Sequence, residues 1–308
     1  MYRKILLGLS RNAGFHKILG SFPPAASVVR RFVAGKSWEE SRAGIAALTE
    51  RGLKVSLDYL GGDVDDTDEA DAIVAANIDV LDHIDQEQWA DVAELSLNLT
   101  SVGLWLPGGE QVAIDNALRI CERAQQLGTT VTIGMEDFTT TEETIRVAKA
   151  LRAQYPWVGV TLQSSLKRSE SDCAALSTPG ARTRLVKGAY DSPVAVAYQR
   201  KHDINLNYVR CLKTLMEGQG FPLVATHDPV MIEIAQELVA HTNRGLSDFE
   251  FQMLYGIRTN EQERLAELGH TVRVCVPFGP GWYDYCAQRM AARPGNLTFV
   301  ARSFLPGK

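Results

Sequence analysis

The sequence predicts an α/β fold, a (β/α)8 TIM-like barrel preceded by an N-terminal helical extension. Eight short runs of apolar and β-branched residues alternate with helix-patterned segments, which is typical of a parallel barrel. The length of 308 residues suits one barrel, because barrels of this class reach that size as a single unit. No G-x-G-x-x-G motif follows a strand, so a doubly wound dinucleotide fold loses its main support. We therefore expect the extension over residues 1–45 and the barrel over residues 46–308.

Each predicted strand is a short apolar run, and a longer segment with helical periodicity follows it. The strands are expected over residues 55–60, 93–99, 130–135, 158–162, 182–187, 221–225, 248–253 and 271–276. The helices are expected over residues 68–83, 110–127, 141–154, 169–176, 203–217, 229–241, 261–268 and 282–293. The acidic stretch 63–69 is expected to be a solvated loop and helix start rather than a metal site.

The composition excludes several classes of protein. Apolar residues make up 45% and charged residues 22% of the chain, with 25 Gly and 12 Pro, which rules out collagen-like and disordered chains. A formal net charge of -5 argues against nucleic acid or anionic lipid as a partner. The five cysteines are odd in number and include no C-x-x-C pair, so neither a disulfide framework nor a zinc site is indicated.

Targeting signals are also missing from the sequence pattern. The apolar run over residues 5–7 is too short for the core of a signal peptide. No stretch approaches the ~18 to 20 apolar residues of a membrane span. We expect a cytoplasmic protein in a reducing compartment, with peripheral membrane association left open and no oligomeric state indicated.

Polar residues at the carboxyl ends of the predicted strands are the first candidates for an active site, because barrels of this class place their sites there. Strand four ends at Gln163, and strand five runs into Arg184, Lys187 and Tyr190. Arg184 and Lys187 are three residues apart, so only one of them is expected to face the barrel interior. Strand six ends in the segment 225–228, which contains His227. Taken alone, His227 is more typical of a hydrogen-bonded loop histidine than of a ligand or base.

Strand seven and the last helix carry further polar candidates. Strand seven alternates apolar residues with Glu250 and Gln252, which are expected to face the interior together. Taken alone, Glu250 is equally compatible with a buried polar layer and with a site. The last helix places four residues along one stripe, namely Tyr285, Gln288, Arg289 and Ala292. Arg289 is the only charge on that stripe and, taken alone, is also compatible with a salt bridge at the helix end.

Six phrases of the sequence run through almost the whole chain. They are FVAG at 32–35, SLDYLG at 56–61, RLVKGAY at 184–190, ATHD at 225–228, FEFQMLYGIR at 249–258, and VPFG at 276–279 followed by WYxYxxxRxxxRPxN at 282–296. Together these phrases resemble the flavin-dependent proline dehydrogenases of the monofunctional bacterial type. The resemblance implies a barrel enzyme in which FAD lies across the carboxyl ends of the strands.

The resemblance also implies which residues contact FAD. The expected cofactor contacts are Gln163, Arg184, Lys187, Gly188, Ala189, Thr226, His227 and Glu250. Arg184 is expected beside flavin N5, Gln163 in a hydrogen bond to the flavin and Lys187 near the pyrophosphate. The segment 225–228 is expected along the adenine-dinucleotide portion, and Glu250 at a ribose hydroxyl. A cation beside N5 suits this chemistry, because it stabilises the anionic reduced flavin.

The substrate side departs from the family that the sequence resembles. Family members are expected to hold the proline carboxylate with one Lys and two consecutive Arg, and this chain has Asn98 and Gln288 at two of those positions. Four other family side chains, two Glu, one Asp and one Tyr, are replaced by Gly62, Ala292, Gly134 and Cys275. The expected substrate pocket comprises Gly62, Asn98, Gly134, Tyr190, Leu254, Cys275, Tyr285, Gln288, Arg289 and Ala292. The expected catalytic residues are Arg184, Tyr190 and Arg289.

We interpret the chain as an FAD-dependent enzyme that oxidises a C–N (or N–N) single bond of an amine-type substrate to an imine-type product by hydride transfer to flavin N5, with a quinone or oxygen as electron acceptor. The loss of two charge-assisted hydrogen bonds, about 3 to 6 kcal/mol, predicts that the substrate is not free proline. A genuine L-proline dehydrogenase and a flavin-binding pseudoenzyme are the alternatives. A metal-dependent hydrolase is disfavoured, because no His/Asp/Glu cluster has the spacing of metal ligands.

Overall fold

The computed structural model describes residues 32–190, 192–283, 285 and 286, and it shows strands alternating with helices. The strands are β1 Lys54–Tyr59, β2 Ala93–Leu97, β3 Val131–Ile133, β4 Gly159–Gln163, β5 Arg182–Val186, β6 Phe221–Ala225, β7 Glu250–Leu254 and β8 Val272–Phe278. The α-helices are α1 Trp38–Thr49, α2 Thr67–Gln86, α3 Gly109–Leu127, α4 Thr141–Arg152, α5 Ser169–Leu176, α6 Lys201–Glu217, α7 Pro229–Thr242 and α8 Thr259–Glu267. Short 3-10 turns, Thr100–Val102 and Phe138–Thr140, precede α3 and α4.

The eight strands form a closed barrel in chain order, and each neighbouring pair is parallel. The barrel closes where β1 pairs with β8, in a register that runs from Lys54 opposite Arg273 to Tyr59 opposite Phe278. The predicted (β/α)8 barrel is therefore confirmed. Because all strands are parallel, their carboxyl ends meet at one rim, which is called the mouth below.

The strands separate apolar from polar side chains by their alternation. On β1, Val55 and Leu57 are completely buried within the apolar core, whereas Ser56 between them donates a hydrogen bond to Glu94 of β2. Arg184 of β5 also reaches Ser56 and Glu94, although β5 neighbours neither β1 nor β2. The polar side chains therefore fill the barrel interior, and the apolar side chains of the strands pack against the helices.

The helix starts follow from capping residues in the sequence. Asp66 accepts a hydrogen bond from the backbone N–H of Glu69 and caps α2, so the expected helix start in the acidic stretch is confirmed. Asp228 caps α7 in the same way, with Pro229 at the first helical position, where its missing N–H costs nothing. Within the described ranges, no helix has the length and apolar character needed to cross a membrane.

The predicted bounds agree with the structure for β6 and α5, and the largest shortfall is β3, which spans three residues instead of six. Helix α1 crosses the expected boundary between residues 45 and 46, and its residues Trp38, Ile45 and Leu48 belong to the barrel's apolar core. Residues 1–31 and most of the predicted last helix lie outside the described residues. The division into an extension and a barrel stays a prediction.

Candidate active site

Five charged side chains meet inside the barrel and are called the interior charge network: Glu94, Arg182, Arg184, Glu250 and Arg273. Arg273 forms a two-point ion pair with Glu250, with Nε to Oε1 at 2.7 Å and Nη2 to Oε2 at 3.1 Å. Glu94 accepts from Arg182 through Oε2 at 2.9 Å and from Arg184 through Oε1 at 3.0 Å. These residues come from β2, β5, β7 and β8, so only the closed barrel brings them together.

Glu94 is completely buried, and its surroundings favour the ionised carboxylate. Burial alone would raise the pKa of Glu94, but the charges of Arg273, Arg182 and Arg184 hold that pKa well below its usual range. The hydroxyl of Ser56 donates a further hydrogen bond at 2.9 Å. A buried charge with this many partners costs far less than an isolated one.

Arg184 extends from the third position of β5 across the barrel interior. Its Nη2 donates to Ser56 Oγ at 3.1 Å, and its Nη1 donates to Ser96 Oγ at 3.3 Å. Arg184 is only 7% exposed, and its Nε is buried without a hydrogen-bond partner. Of the two cations on this segment, Arg184 is therefore the one that faces the interior.

Glu250 lies at the opposite end of its strand from the mouth, which corrects the expectation that it holds a ribose hydroxyl of FAD. It is the first residue of β7, it is 1% exposed, and Arg273 and Gln252 occupy its Oε1. The predicted strand began two residues too early. Alternation shows which residues of a strand face the interior, but it does not show how far along the barrel axis each of them lies. Glu250 thus belongs to the interior charge network.

Lys187 faces away from the interior and joins the loops that follow β5 and β6. Its Nζ donates to Asp228 at 2.6 Å and to Asn205 of α6 at 2.7 Å. The hydrogen bond from Lys187, followed by its charge, lowers the pKa of Asp228. An ammonium group that is only partly buried at the mouth is suited to an anionic ligand such as a phosphate.

Gly188 makes a close approach between the loop after β5 and the end of β4. It adopts a φ of 97°, and an added Cβ would overlap Ser165 Oγ and crowd Gln163 Oε1. Ser165 Oγ is itself buried without a hydrogen-bond partner. The side-chain amide of Gln163 donates to the backbone oxygen of Glu136 at 2.7 Å. Gly188 is therefore held directly beside Gln163, and the expected contacts of Gln163, Gly188 and Ala189 with the cofactor stay predictions.

Thr226 and His227 follow β6 and tie its loop to β7. The hydroxyl of Thr226 accepts from the backbone N–H of Asp228 at 3.1 Å. His227 Nε2 accepts from the backbone N–H of Leu254 at 2.8 Å, so a neutral ring carries its proton on Nδ1. This contact matches the plain reading of His227 as a hydrogen-bonded loop histidine. The structure places both residues at the mouth, where their expected contacts with the adenine-dinucleotide portion stay predictions.

Asn98 and Gly134 touch each other at the mouth, directly after β2 and β3. A Cβ at Gly134 would overlap Oδ1 of Asn98. Glu136 follows two residues later, and its carboxylate accepts from the backbone N–H and the hydroxyl of Thr100. Burial raises the pKa of Glu136, against the lowering effect of the hydrogen bonds from Thr100. This wall of the mouth therefore consists of an amide, a glycine and a carboxylate.

The other expected pocket residues are spread around the mouth. Leu254 and Cys275 stand opposite each other on β7 and β8, and burial raises the pKa of the Cys275 thiol. Gly62 has open space around an added Cβ but adopts a φ of 93°, which a larger residue rarely tolerates. Tyr190 is 38% exposed and Tyr285 is half-buried. Three of the expected residues, Gln288, Arg289 and Ala292, lie outside the described residues.

Sequence reasoning missed most of the interior charge network. Glu94, Arg182 and Arg273 are charged residues inside short apolar strands, and that pattern was the available signal. In the part of the chain that the structure covers, no three His, Cys, Asp or Glu side chains converge as a metal site requires.

The closed barrel places the chain in the (β/α)8 class, with a buried arginine below its mouth and a lysine beside it. Comparison with known proteins narrows this class. The family model for proline dehydrogenase matches residues 41–281. "Proline dehydrogenase 1" of Bacillus subtilis (strain 168) is 34% identical over 305 residues, covering 99% of each chain. "Proline dehydrogenase" of Deinococcus radiodurans is 35% identical over 315 residues, covering 100% of this chain and 99% of that protein.

The chain belongs to the proline dehydrogenase family, and it is accordingly a flavin-dependent oxidoreductase that acts on CH–NH donors. Among solved structures, proline utilization A of Bdellovibrio bacteriovorus superposes with a TM-score of 0.79 at 20% identity, over 86% of this chain. The match covers 32% of that longer protein and shows the fold alone. These comparisons favour proline as the substrate more than they favour the expected departure from proline.

Proposed function

We propose that this chain uses FAD to oxidise the C–N (or N–N) single bond of an amine-type substrate to an imine-type product, and that the preferred substrate is not free proline. Family membership supports the amine oxidation. The contact between Asn98 and Gly134 supports the proposed departure from proline. These two residues stand where the family is expected to have a lysine and an aspartate.

The polar groups at the mouth fit FAD. Arg184 Nε and Ser165 Oγ are buried donors without a hydrogen-bond partner in the described structure, and a bound ligand would satisfy them. Gln163, Arg184, Gly188 and Ala189 are the residues that would hold the ring system, and Lys187 is the cation that would meet the phosphates. When bound, FAD accepts the hydride and so supplies the oxidising power of the reaction.

The residues of this chain contribute binding and orientation. Arg184 is permanently cationic and favours negative charge that develops above it in the mouth. Tyr190 is exposed at the end of the segment after β5, where its ring can pack against a substrate and fix the reacting C–H. The substrate amine binds in its neutral form, since a lone pair on nitrogen assists hydride loss from the neighbouring carbon. No protein nucleophile is needed.

The wall formed by Asn98 and Gly134 weakens the grip on a substrate carboxylate. Asn98 is uncharged, and its Oδ1 fills the space that a side chain at position 134 would use. Glu136 adds a carboxylate on the same side, and Asp58 and Asp63 lie within electrostatic reach of it. We infer that this wall accepts an uncharged amine more readily than an amino acid, whose carboxylate has only Arg289 left as an expected anchor.

L-proline itself is the second candidate substrate. The relatives named proline dehydrogenase match essentially their whole length, which favours this candidate. In both cases we propose a quinone or oxygen as the electron acceptor and the cytoplasm as the location.

Absorbance spectroscopy of the purified protein tests the cofactor part of the proposal. We expect flavin bands in the visible spectrum and release of FAD, rather than FMN, when the protein is heated. Colourless protein that takes up no added FAD would contradict the proposal.

Anaerobic mixing with a panel of amines, imino acids and hydrazines tests the substrate part. We expect at least one larger or uncharged amine to bleach the flavin at least tenfold faster than L-proline does, and a quinone or oxygen to restore the colour. If proline is fastest, the second candidate is correct. If the flavin stays oxidised with every compound, the chain is a flavin-binding pseudoenzyme.

A further inference from the structure

Glu94 is the carboxylate that contacts Arg184 in the described part of the barrel. Its Oε1 accepts from Arg184 Nη2 at 3.0 Å and from Ser56 Oγ at 2.9 Å, while its Oε2 accepts from Arg182 at 2.9 Å. Glu94 is 0% exposed, so its charge acts through the protein interior and is screened little by water or salt.

The charges of the interior charge network do not cancel, because three guanidinium groups face two carboxylates. Glu250 is committed to Arg273 by its two-point ion pair, and its closest approach to Arg182 is 3.6 Å. Arg184 therefore depends on Glu94 for its ionic contact among the described residues. Neutralising Glu94 would leave Arg184 without that contact and would add one unit of positive charge to the interior.

Arg184 is the guanidinium of this network that lies closest to the mouth. On β5 it lies two residues nearer the mouth than Arg182, and it contacts Ser56 and Glu94, whereas Arg273 donates to the backbone oxygens of Val55 and Val92, which lie further from the mouth. Ser96, which follows Glu94 by two residues toward the mouth, contacts Arg184 Nη1 at 3.3 Å. A ligand in the mouth therefore lies nearer to the charge of Arg184 than to the charges of the other two arginines.

We propose that Glu94 is a positioning residue, which fixes the guanidinium of Arg184 below the mouth and limits the positive charge that a bound flavin experiences. The inference rests on the proposed function, because it takes the flavin to lie at the mouth. Reduction adds negative charge to a flavin, and positive charge nearby favours the reduced form. Glu94 limits this stabilisation of the reduced flavin, and it also keeps Arg184 in place.

The two-electron midpoint potential of the bound flavin tests this role. Glu94→Gln keeps the size of the side chain and one acceptor oxygen while removing its charge. We expect the equilibrium to shift at least tenfold toward reduced flavin, which is an increase of about 30 mV for a two-electron couple. The matched control is Glu250→Gln, which removes the same charge next to Arg273 and is expected to shift the equilibrium less than threefold. An unchanged potential in Glu94→Gln, or equal shifts in both variants, would overturn the proposal.

A second variant covers the case in which Glu94→Gln does not fold. The double variant Glu94→Gln/Arg182→Gln removes one charge of each sign, so the net charge of the network stays the same. We expect it to shift the equilibrium at least threefold in the same direction, because Glu94 contacts Arg184 directly at 3.0 Å, whereas Arg182 lies two residues further from the mouth on β5. A potential equal to that of the wild type would again overturn the proposal.

Nitrogen-15 NMR of the arginine side chains tests the positioning without any flavin. In Glu94→Gln and the double variant, we expect the Nη protons of Arg184 to exchange with water at least tenfold faster than in the wild type. Unchanged exchange would overturn the positioning role. Wild-type protein that binds no flavin would overturn the proposed function instead, and the NMR result would then decide the role of Glu94 by itself.

Discussion

Glu136 is a partly buried carboxylate just after β3, and its ionisation opposes folding. Burial raises the pKa of Glu136 above the ordinary glutamate value, despite two hydrogen bonds from Thr100. The folded protein therefore holds this proton at pH values where the unfolded chain has already lost it. It follows that the contribution of Glu136 to stability is full below the ordinary glutamate pKa and is lost as the pH rises through the raised value.

We predict that Glu136→Gln raises the midpoint of thermal unfolding at pH 7, because the amide cannot ionise and can still accept from the backbone of Thr100. The gain should shrink as the pH falls toward 4, where the wild-type carboxyl is protonated. Scanning calorimetry at several pH values measures both effects. The exposed Glu122→Gln is the matched control, with no gain expected at pH 7. A lower midpoint for Glu136→Gln at pH 7 would contradict the prediction.

Individual residues also show what the sequence can and cannot predict. Strand alternation predicted that Glu250 and Gln252 face the interior, and their contact with each other at 2.7 Å agrees with that. Alternation does not give the level along the barrel axis, which depends on the register with neighbouring strands. Glu250 therefore lies among arginines at the amino-terminal end, far from its expected place at the mouth.

At the scale of elements, the type and order of the strands and helices followed from the sequence, because apolar runs and capping residues are local signals. The loops after the strands were less predictable. The approach of Gly188 to Ser165 depends on how the ends of β4 and β5 meet, which no local pattern encodes.

Arg244 illustrates how a loop residue stabilises an element. It lies beyond the end of α7, and its guanidinium donates to five backbone oxygens around the carboxyl end of α6 and the segment before β7, namely those of Leu215, Met216, Gly218, Gly220 and Asp248. The last carbonyl groups of a helix have no partner within the helix. Arg244 thus replaces the missing hydrogen bonds of α6.

We predict that Arg244→Met lowers the free energy of unfolding by about 2 to 4 kcal/mol, since several partly buried carbonyl groups lose a charged donor. Urea denaturation measures this change. Arg210→Met, an exposed arginine on α6, is the control and should change the free energy by less than about 0.5 kcal/mol. Equal effects of the two substitutions would show that the guanidinium of Arg244 does not stabilise the helix end.

At the scale of the whole molecule, barrel closure creates the chemistry of the interior. Ser56, Glu94, Arg184 and Arg273 are distant in the sequence, and they meet because β8 returns to β1. The sequence predicted the closed barrel, but the partners of Arg184 depend on which strands face each other across the interior. The pairing of β2 with β3 places Asn98 and Gly134 side by side and so forms one wall of the mouth.

In the proposed function, the mouth oxidises an amine beside a flavin and binds a substrate carboxylate weakly. L-proline and pyrrolidine have the same ring and differ only by the carboxylate. Comparing anaerobic flavin reduction by the two compounds therefore measures how much the carboxylate contributes to binding and reaction. One remaining charge-assisted hydrogen bond, about 1.5 to 3 kcal/mol, limits any preference for proline in the rate constant divided by Kd to about 100-fold, and we expect the uncharged wall of Asn98 and Gly134 to bring the ratio below that limit, in favour of pyrrolidine. A preference of about a thousandfold or more, with saturation at millimolar proline, would contradict the claim and identify an ordinary proline dehydrogenase.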